Sequence, residues 1–164
     1  QVGLDTTLFQ ECDAIEALNS AISRARELDG ERRFIRIIKA GEVLVRADPV
    51  MLEQVFYNVL ENSVRYSDPT GPISIRAEEL QSRLLVRIRD EGEGIPPAGI
   101  GRVFDRFYRA SDTQPAQATG LGLAIAKGFT ESFGGRIWAE RPEDPAGGTL
   151  IGIEIPAAGR SAPQ

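Results

Sequence analysis

Apolar residues recur at helical spacing in the first half of the chain, where they predict two helices. The first helix covers residues 12–28 and carries one apolar face. Asp48-Pro49 is typical of an N-cap followed by proline at the first helical position, so we expect the second helix to start there and to end near residues 67–69. The apolar stripe of this second helix consists of Leu52, Val55, Phe56, Val59 and Leu60.

Six short segments have the composition or the alternation of β-strands. They cover residues 34–38, 43–46, 73–77, 84–90, 136–140 and 149–155. A turn near Gln81-Ser82 separates the third and fourth strands, which we expect to form an antiparallel hairpin. A third helix is predicted over residues 120–133, with Gly134-Gly135 ending it before the fifth strand.

This order of elements predicts an α+β fold: a two-layer sandwich in which one mixed, mostly antiparallel sheet carries helices on one face. Gly and Pro are frequent after Asp90, and the polar residues 111–119 lack an apolar period, so we expect that polar stretch to be mobile. We assign residues 1–10 to a preceding region or linker, residues 11–156 to one domain, and residues 157–164 to a disordered tail.

Composition narrows the classes of function. The 164 residues are 41% hydrophobic and 26% charged, which suits one globular domain, and the net charge of -5 argues against a nucleic-acid partner. Cys12 is the only cysteine, which excludes an internal disulfide and a cysteine-rich zinc site. The chain has no histidine, so the usual general base and histidine-based metal sites are excluded.

The N-terminus and the lengths of the apolar runs indicate what kind of segment this chain is. No apolar run approaches the roughly 18 residues that a membrane span needs, and the N-terminus does not resemble a secretion signal. The chain begins with Gln1, and its only methionine is Met51. We therefore expect a soluble piece excised from a longer protein.

Polar residues interrupt the apolar faces at two places. Asn58, Asn62 and Arg65 form a narrow stripe along the second helix. Amide oxygens suit Mg²⁺, which takes few protein ligands, although ordinary solvated residues would give the same pattern. Asp90 shares the inward side of its strand with Leu84, so its carboxylate needs a donor, either a purine amino group or the amides of the following loop.

Two glycine-rich segments allow a ligand to approach the backbone closely. Gly92 and Gly94 follow Asp90, and residues 119–123 (TGLGL) open the third helix, where free N–H groups can receive phosphate oxygens. A simple turn and a closely packed helix start would have the same composition. Neither a Walker loop nor a Rossmann fingerprint is present. Residues 104–109 (FDRFYR) form an apolar anchor, or a hinge before a lid.

Taken in order, these segments resemble the ATP-binding domain of sensor histidine kinases, within the superfamily of gyrase-type ATPases, mismatch-repair ATPases and heat-shock chaperones. Residues 58–66 (NVLENSVRY) resemble the asparagine box and residues 90–94 (DEGEG) the first glycine box. Residues 104–109 resemble the phenylalanine box and residues 120–123 (GLGL) the second glycine box. The resemblance covers residues 48–155 and implies a Bergerat-type ATP-binding fold with ATP and Mg²⁺ as cofactors.

The resemblance also implies roles for single residues. Asn62 would coordinate Mg²⁺ with support from Asn58, and Arg65 would lie near the phosphates; these three are the predicted catalytic residues. Asp90 would accept a hydrogen bond from the adenine amino group. The other residues predicted to bind the nucleotide, or to add charge near it, are Tyr66, Gly92, Gly94, Ile95, Arg106, Arg109, Gly120, Leu121, Gly122, Leu123, Lys127 and Thr149.

The residue four positions before Asn62 bears on the reaction. ATPases of the superfamily carry a glutamate there, whereas this chain has Asn58, and an amide is a poor general base. Glu61 lies about 100° around the helix from Asn62, so it is not assigned as the base. Phosphoryl transfer to a separate acceptor is therefore favoured over hydrolysis.

The resemblance implies ATP:protein-histidine phosphotransfer in two-component signal transduction. The acceptor histidine would lie on a helical, dimeric domain of the same full-length protein, and a response regulator would be the next partner. The chain would be the cytoplasmic part of an inner-membrane sensor, without membrane contact of its own and without a nucleic-acid partner.

Two alternatives remain open from the sequence. A serine kinase of the anti-sigma-factor type has a similar pocket, although residues 12–28 and 104–109 favour a sensor kinase. A non-catalytic nucleotide-binding module would keep the same four boxes. Residues 104–109 and 120–137 also resemble the potassium-responsive sensor kinases of the Kdp type, with residues 11–28 resembling the helix that enters their catalytic domain.

Overall fold

The computed structural model describes residues 8–108 and 120–159, and most of their elements follow the predicted pattern. Predicted residues 111–119 and most of the predicted tail lie outside this part of the chain. In chain order the described elements are β1 (Gln10–Asp13), α1 (Ala14–Arg26), β2 (Phe34–Lys39), β3 (Leu44–Ala47), α2 (Pro49–Tyr66), β4 (Ile73–Leu80), β5 (Arg83–Arg89), α3 (Gly122–Ser132), β6 (Arg136–Glu140) and β7 (Leu150–Pro156).

The main sheet has five strands in the order β2-β4-β5-β7-β6. β2 pairs with β4 in parallel, and the other neighbours are antiparallel. The predicted α+β class with a mixed, mostly antiparallel sheet is thus confirmed. β4 and β5 form the predicted hairpin, with Leu80 opposite Arg83 and both turn residues, Gln81 and Ser82, at positive φ.

The prediction of a single sheet is wrong, because β3 lies outside the main sheet. It pairs antiparallel with β1, with Cys12 opposite Val45. The first helix is predicted to begin at residue 12, but Cys12 and Asp13 belong to β1. Four residues with a single apolar member give no strand signal of their own, so this pairing depends on the tertiary fold.

One face of the main sheet is buried under the helices. The apolar stripe predicted for α2 is fully buried, α2 contacts β5, and α1 and α3 both contact α2. This agrees with the predicted two-layer arrangement. The inward residues of the sheet are Ile73, Ile75, Ala77, Leu84, Val86, Ile88, Ile137, Ile151, Ile153 and Ile155.

Aspartates fix the start of both long helices. Oδ1 of Asp13 accepts hydrogen bonds from the backbone N–H of Ile15 at 2.9 Å and of Val43 at 3.1 Å, which caps α1 and ties it to the segment before β3. Oδ1 of Asp48 accepts from the backbone N–H of Val50 at 2.9 Å, as the Asp48-Pro49 signal predicts. The direction of α2, which carries much of the candidate site, is therefore set at its first turn.

Backbone pairing continues past the predicted start of the tail. The N–H of Ala157 donates to the carbonyl of Ser82 at 2.9 Å, and the N–H of Ala158 donates to the carbonyl of Leu44 at 2.7 Å. These two bonds join the segment after β7 to the β4–β5 turn and to β3.

Candidate nucleotide-binding site

The carboxylate of Asp90 is buried directly after β5. Its Oδ1 accepts a hydrogen bond from the backbone N–H of Thr149 at 3.0 Å, and its own N–H donates to the carbonyl of Thr149 at 3.0 Å. Both residues are only 5% exposed. The end of β5 is thus tied to the start of β7, with both side chains turned inward as the strand alternation predicts.

Burial raises the pKa of Asp90 from 3.8 to about 6. Three influences oppose this rise without cancelling it: the Thr149 amide, a hydrogen bond from the Ser63 hydroxyl, and the positive charges of Arg32 and Arg89. The charged carboxylate therefore costs the folded chain roughly 3 kcal/mol at neutral pH. A buried acid kept at such a cost is a candidate functional group, because a ligand with a hydrogen-bond donor can offset it.

Two glycine loops pack backbone against backbone beside this carboxylate. Gly92 and Gly94 have positive φ values of 127° and 76°. The N–H of Gly148 donates to the carbonyl of Gly92 at 2.8 Å, and a Cβ added at Gly94 would lie 2.3 Å from the carbonyl oxygen of Gly148. Because the two loops lie this close together, there is no space for a side chain at Gly94. The loop therefore presents only backbone atoms next to Asp90.

The asparagine stripe on α2 is divided between the interior and the surface. Asn58 is buried: its Nδ2 donates to the carbonyl of Gly122 at 2.9 Å and its Oδ1 accepts from Gln54. Asn62 is half-buried one turn further on. Arg65 is exposed and pairs with Glu61 at 3.4 Å. Asn58 therefore joins the middle of α2 to the first turn of α3.

The last residue of α2 and the first of α3 complete this side of the site. Tyr66 is half-buried at the end of α2. Leu121 occupies the N-cap position of α3, Gly122 begins the helix, and Leu123 packs against the apolar core. Gly122, at the first position of α3, leaves the start of this helix without a side chain.

Phe107 precedes residues 109–119 in the sequence and Gly120 follows them, and the two residues are in contact. The N–H of Phe107 donates to the carbonyl of Gly120 at 2.8 Å, and a Cβ added at Gly120 would lie 2.6 Å from Cα of Phe107. Phe107 is exposed and has a φ of 63°, a conformation that is rare for a bulky residue. Predicted site residue Arg109 lies outside the described residues.

Other predicted residues lie further from these contacts. Arg106 is exposed, and Lys127 is exposed and pairs with Glu131 at 3.8 Å. The carbonyl of Ile95 accepts from Nη1 of Arg141 at 2.7 Å. The structure thus connects Asp90 with Thr149 and Asn58 with Gly122, whereas within the described ranges it shows no hydrogen bond or ion pair from Arg65, Arg106 or Lys127 to another predicted site residue.

Two residues near Asp90, Ser63 and Arg32, are not among the predicted site residues. Ser63 is 1% exposed and contacts Asp90 through its hydroxyl. A signal for it exists, because a serine three residues after Leu60 continues the apolar stripe of α2 and needs a buried partner. Arg32 stands in a polar loop, and no pattern in the sequence distinguishes it.

The donor set restricts the metal that the site could hold. Across residues 8–108 and 120–159, no three histidine, cysteine or acidic side chains are grouped as metal ligands. The amide oxygen of Asn62 is a single neutral ligand. One neutral oxygen suits Mg²⁺ only when ligand phosphates and water supply the remaining positions.

Family comparison agrees with this geometry. The sequence pattern described as "Histidine kinase-, DNA gyrase B-, and HSP90-like ATPase" matches residues 47–159. The chain belongs to this family of ATP-binding domains. The matched range begins next to the cap of α2 and extends past the end of β7, so it includes every predicted nucleotide contact.

Individual relatives are sensor histidine kinases. Sensor protein kinase WalK of Staphylococcus aureus (strain MRSA252) is 38% identical over 143 residues, which are 85% of this chain and 23% of WalK. Among solved structures, the mycobacterial sensor histidine kinase MprB matches with a TM-score of 0.82 and 28% identity, covering 93% of this chain and 99% of that one. The catalytic domain of histidine kinase ThkA, nucleotide free, matches with a TM-score of 0.77 and 27% identity, covering 90% and 95%.

These matches confirm the resemblance to histidine kinase catalytic domains. The chain spans only about a quarter of the length of the full WalK protein. The narrower resemblance to Kdp-type kinases stays a prediction.

The pKa of Asp90 predicts how stability depends on pH. Because burial raises this pKa from 3.8 to about 6, the stability that protonation provides is fully present below pH 3.8 and is lost as the pH rises through 6. Asp90→Asn cannot be charged, so between pH 4 and pH 7 it should gain roughly 2.4 kcal/mol relative to the unchanged chain. Urea unfolding at both pH values measures the difference, and a difference that does not change with pH would contradict the assignment.

Gly94→Ala should distort the loop that follows Asp90. The new Cβ would meet the Gly148 carbonyl oxygen at 2.3 Å in a backbone conformation with φ of 76°, so we expect a loss of about 1–3 kcal/mol in the free energy of unfolding.

Gly128→Ala is the matched control, since its Cβ would meet nothing within 4 Å in the exposed middle of α3. It should leave the chain as stable or raise stability by up to about 1 kcal/mol. Thermal unfolding of the two variants compares them, and equal stability would argue against the tight contact between the two glycine loops.

Proposed function

We propose that this chain is the ATP-binding catalytic domain of a sensor histidine kinase, which transfers the γ-phosphoryl group of ATP to a histidine on a separate helical domain of the same full-length protein. The observation that carries the proposal is the buried carboxylate of Asp90, held between α2, β5 and β7 next to bare glycine backbone. Membership of the family gives that carboxylate its ligand, ATP.

The adenine end of the site forms around Asp90. The charged carboxylate accepts a hydrogen bond from the exocyclic amino group of adenine. This bond replaces one from water that the carboxylate loses when it is buried. The N–H of Thr149 fixes the direction of the carboxylate at 3.0 Å. Gly92 and Gly94 keep the loop free of side chains, so the base can lie against the backbone, with Tyr66 and Ile95 along its faces.

The phosphate end forms around α2 and α3. Asn62 provides an oxygen for Mg²⁺, which when bound neutralises negative charge on the phosphates. Backbone N–H groups at residues 120–123 receive phosphate oxygens at the positive end of α3. Asn58 holds this end in place through its hydrogen bond to Gly122, and Arg65, Arg106 and Arg109 contribute positive charge.

The groups on α2 favour transfer to an acceptor over hydrolysis. Asn58 is an amide whose hydrogen-bonding groups are engaged by Gln54 and Gly122, so it cannot remove a proton from water. Glu61 interacts with Arg65 at 3.4 Å and with the hydroxyl of Tyr57 at 3.3 Å, on the exposed side of the helix. An imidazole acceptor needs no such base, because the unprotonated nitrogen of its neutral ring can attack without losing a proton.

The acceptor must come from elsewhere, because the sequence contains no histidine. We place it on a dimeric helical domain, with residues 1–10 leading from that domain and residues 11–156 forming the catalytic unit. A response regulator is the next partner; one solved relative is histidine kinase ThkA in complex with response regulator protein TrrA. The cellular setting is the cytoplasmic side of an inner-membrane sensor. No helix in the described ranges is long and apolar enough to cross a membrane.

Asn62→Ala tests the metal role in a trans-phosphorylation assay. The unchanged chain, supplied with a dimeric helical hairpin that bears the acceptor histidine and with ATP–Mg²⁺, should label that histidine with an acid-labile phosphoryl group. Asn62→Ala should lower the rate by about 100-fold or more, while ADP affinity without Mg²⁺ stays within about twofold.

Asn19→Ala is the matched control and should label at the unchanged rate, since Asn19 lies on α1 and its Oδ1 accepts from Nε of Arg36. An acid-stable product on serine would favour the serine kinase alternative. Absence of ATP binding at millimolar nucleotide would overturn the proposed function altogether.

A further inference from the structure

Arg32 is a buried cation that the proposed reaction does not use directly. It lies in the loop between α1 and β2, and its side chain is 2% exposed. Nη1 donates to the hydroxyl of Ser67 at 2.8 Å and Nη2 donates to the carbonyl of Val64 at 3.0 Å. Nε has no hydrogen-bond partner in the described part of the chain and lies 3.5 Å from Oδ2 of Asp29. Burying a guanidinium costs free energy unless hydrogen bonds and opposite charges offset its loss of hydration.

Arg32 closes the C-terminal end of α2. The carbonyls of the last turn of a helix have no partner within the helix, and a cation there also interacts favourably with the helix dipole. The guanidinium supplies both a hydrogen-bond donor and a positive charge at this end of α2. It also bonds to the C-cap residue Ser67. It therefore fixes the last turn of α2, on which Tyr66 lies and next to which Asn62 lies.

Hydrogen bonds extend from Arg32 along the last turn of α2 to the residue that faces Asp90. The hydroxyl of Ser67 accepts from Arg32 and donates to the carbonyl of Ser63. The Ser63 side chain is in turn one of the groups that lower the pKa of Asp90. Each link joins buried or half-buried groups. A change at Arg32 can therefore reach the carboxylate through two serines.

The groups that face Asp90 come from four places: Arg32 before β2, Ser63 on α2, Arg89 on β5, and the amide of Thr149 before β7. The positive charge of Arg89 is engaged, because Nη2 of Arg89 bonds to Oδ1 of Asp144. For Arg32 the acidic partner is Asp29, at 3.5 Å. Both cations thus have an acidic partner, but Arg32 is the more deeply buried, with a side chain 2% exposed against 28% for Arg89.

We propose that Arg32 is a positioning residue for nucleotide recognition: it fastens the last turn of α2, which carries Ser63 and Tyr66, beside the Asp90 carboxylate that accepts the adenine amino group. This inference rests on the proposed function, since it concerns the adenine end of the same site. Arg32 need not touch the nucleotide; it acts through Ser67, Ser63 and its charge.

Arg32→Met tests the proposal, with Arg33→Met as the matched control on the neighbouring, exposed arginine. The first readout needs no ligand: carboxyl NMR titration should give a higher Asp90 pKa in Arg32→Met than in the unchanged chain, where it is about 6. The second readout is calorimetric ADP affinity without Mg²⁺. Affinity at pH 7 should fall about tenfold, and the pH below which affinity declines should move upward. Arg33→Met should match the unchanged chain in both readouts.

Arg32→Lys should restore the Asp90 pKa but only part of the affinity, because an ammonium keeps the charge and loses the two-point contact. A folded Arg32→Met variant with unchanged Asp90 pKa and unchanged ADP affinity would overturn the proposal. If Arg32→Met does not fold, Ser67→Ala decides: weaker ADP binding supports the hydrogen-bond chain, and unchanged binding overturns it. If the unchanged chain binds no ADP, the proposed function is refuted. The ligand-free titration of Asp90 then still tests the role of Arg32.

Discussion

A carboxylate buried in an apolar interior needs hydrogen-bond donors, and the arrangement of this site depends on how Asp90 obtains them. One donor is the backbone N–H of Thr149, which the antiparallel pairing of β5 with β7 brings to 3.0 Å. Another is the hydroxyl of Ser63 on α2, which packs over the sheet. These donors do not offset burial fully, because the pKa remains raised to about 6. The buried carboxylate is therefore harder to ionise than an exposed aspartate, and a ligand that donates a hydrogen bond to it would favour its charged form.

The loops around Asp90 follow from the same requirement. For β5 and β7 to stay paired up to Asp90, the chain segments beyond both strands must pass each other at backbone distance. Gly94 and Gly148 allow this passage, since a Cβ at either position would overlap backbone atoms of the other loop or of Asp90. The result is a site with one charged group and bare peptide next to it, a composition suited to a flat base with an amino group.

The sequence predicted the fold where local signals agree with burial. Asp48-Pro49 fixed the expected start of α2, and the alternation in β5 turned Asp90 inward; both agree with the structure. The sequence did not predict β1, because these four residues form a strand through their pairing with β3 rather than through their own pattern.

The candidate site was predicted less completely than the fold. Helical spacing grouped Asn58 with Arg65, but burial separates them, because Asn58 bonds to Gly122 across the helix interface while Arg65 pairs with Glu61 at the surface. Ser63 could have been found, because it continues the apolar stripe of α2. The importance of Arg32 comes from partners far along the chain, so no local pattern could reveal its role.

Comparison of ADP with inosine diphosphate tests the central claim most directly, since inosine carries a 6-oxo group in place of the adenine amino group. Calorimetry should show ADP binding at least about tenfold more tightly to the unchanged chain, because the oxo group leaves the Asp90 carboxylate without its donor. In Asp90→Asn the preference should narrow or reverse, since the amide can donate to the oxo group. Equal affinity of the unchanged chain for the two nucleotides would contradict the assignment of Asp90 as the adenine-recognising residue.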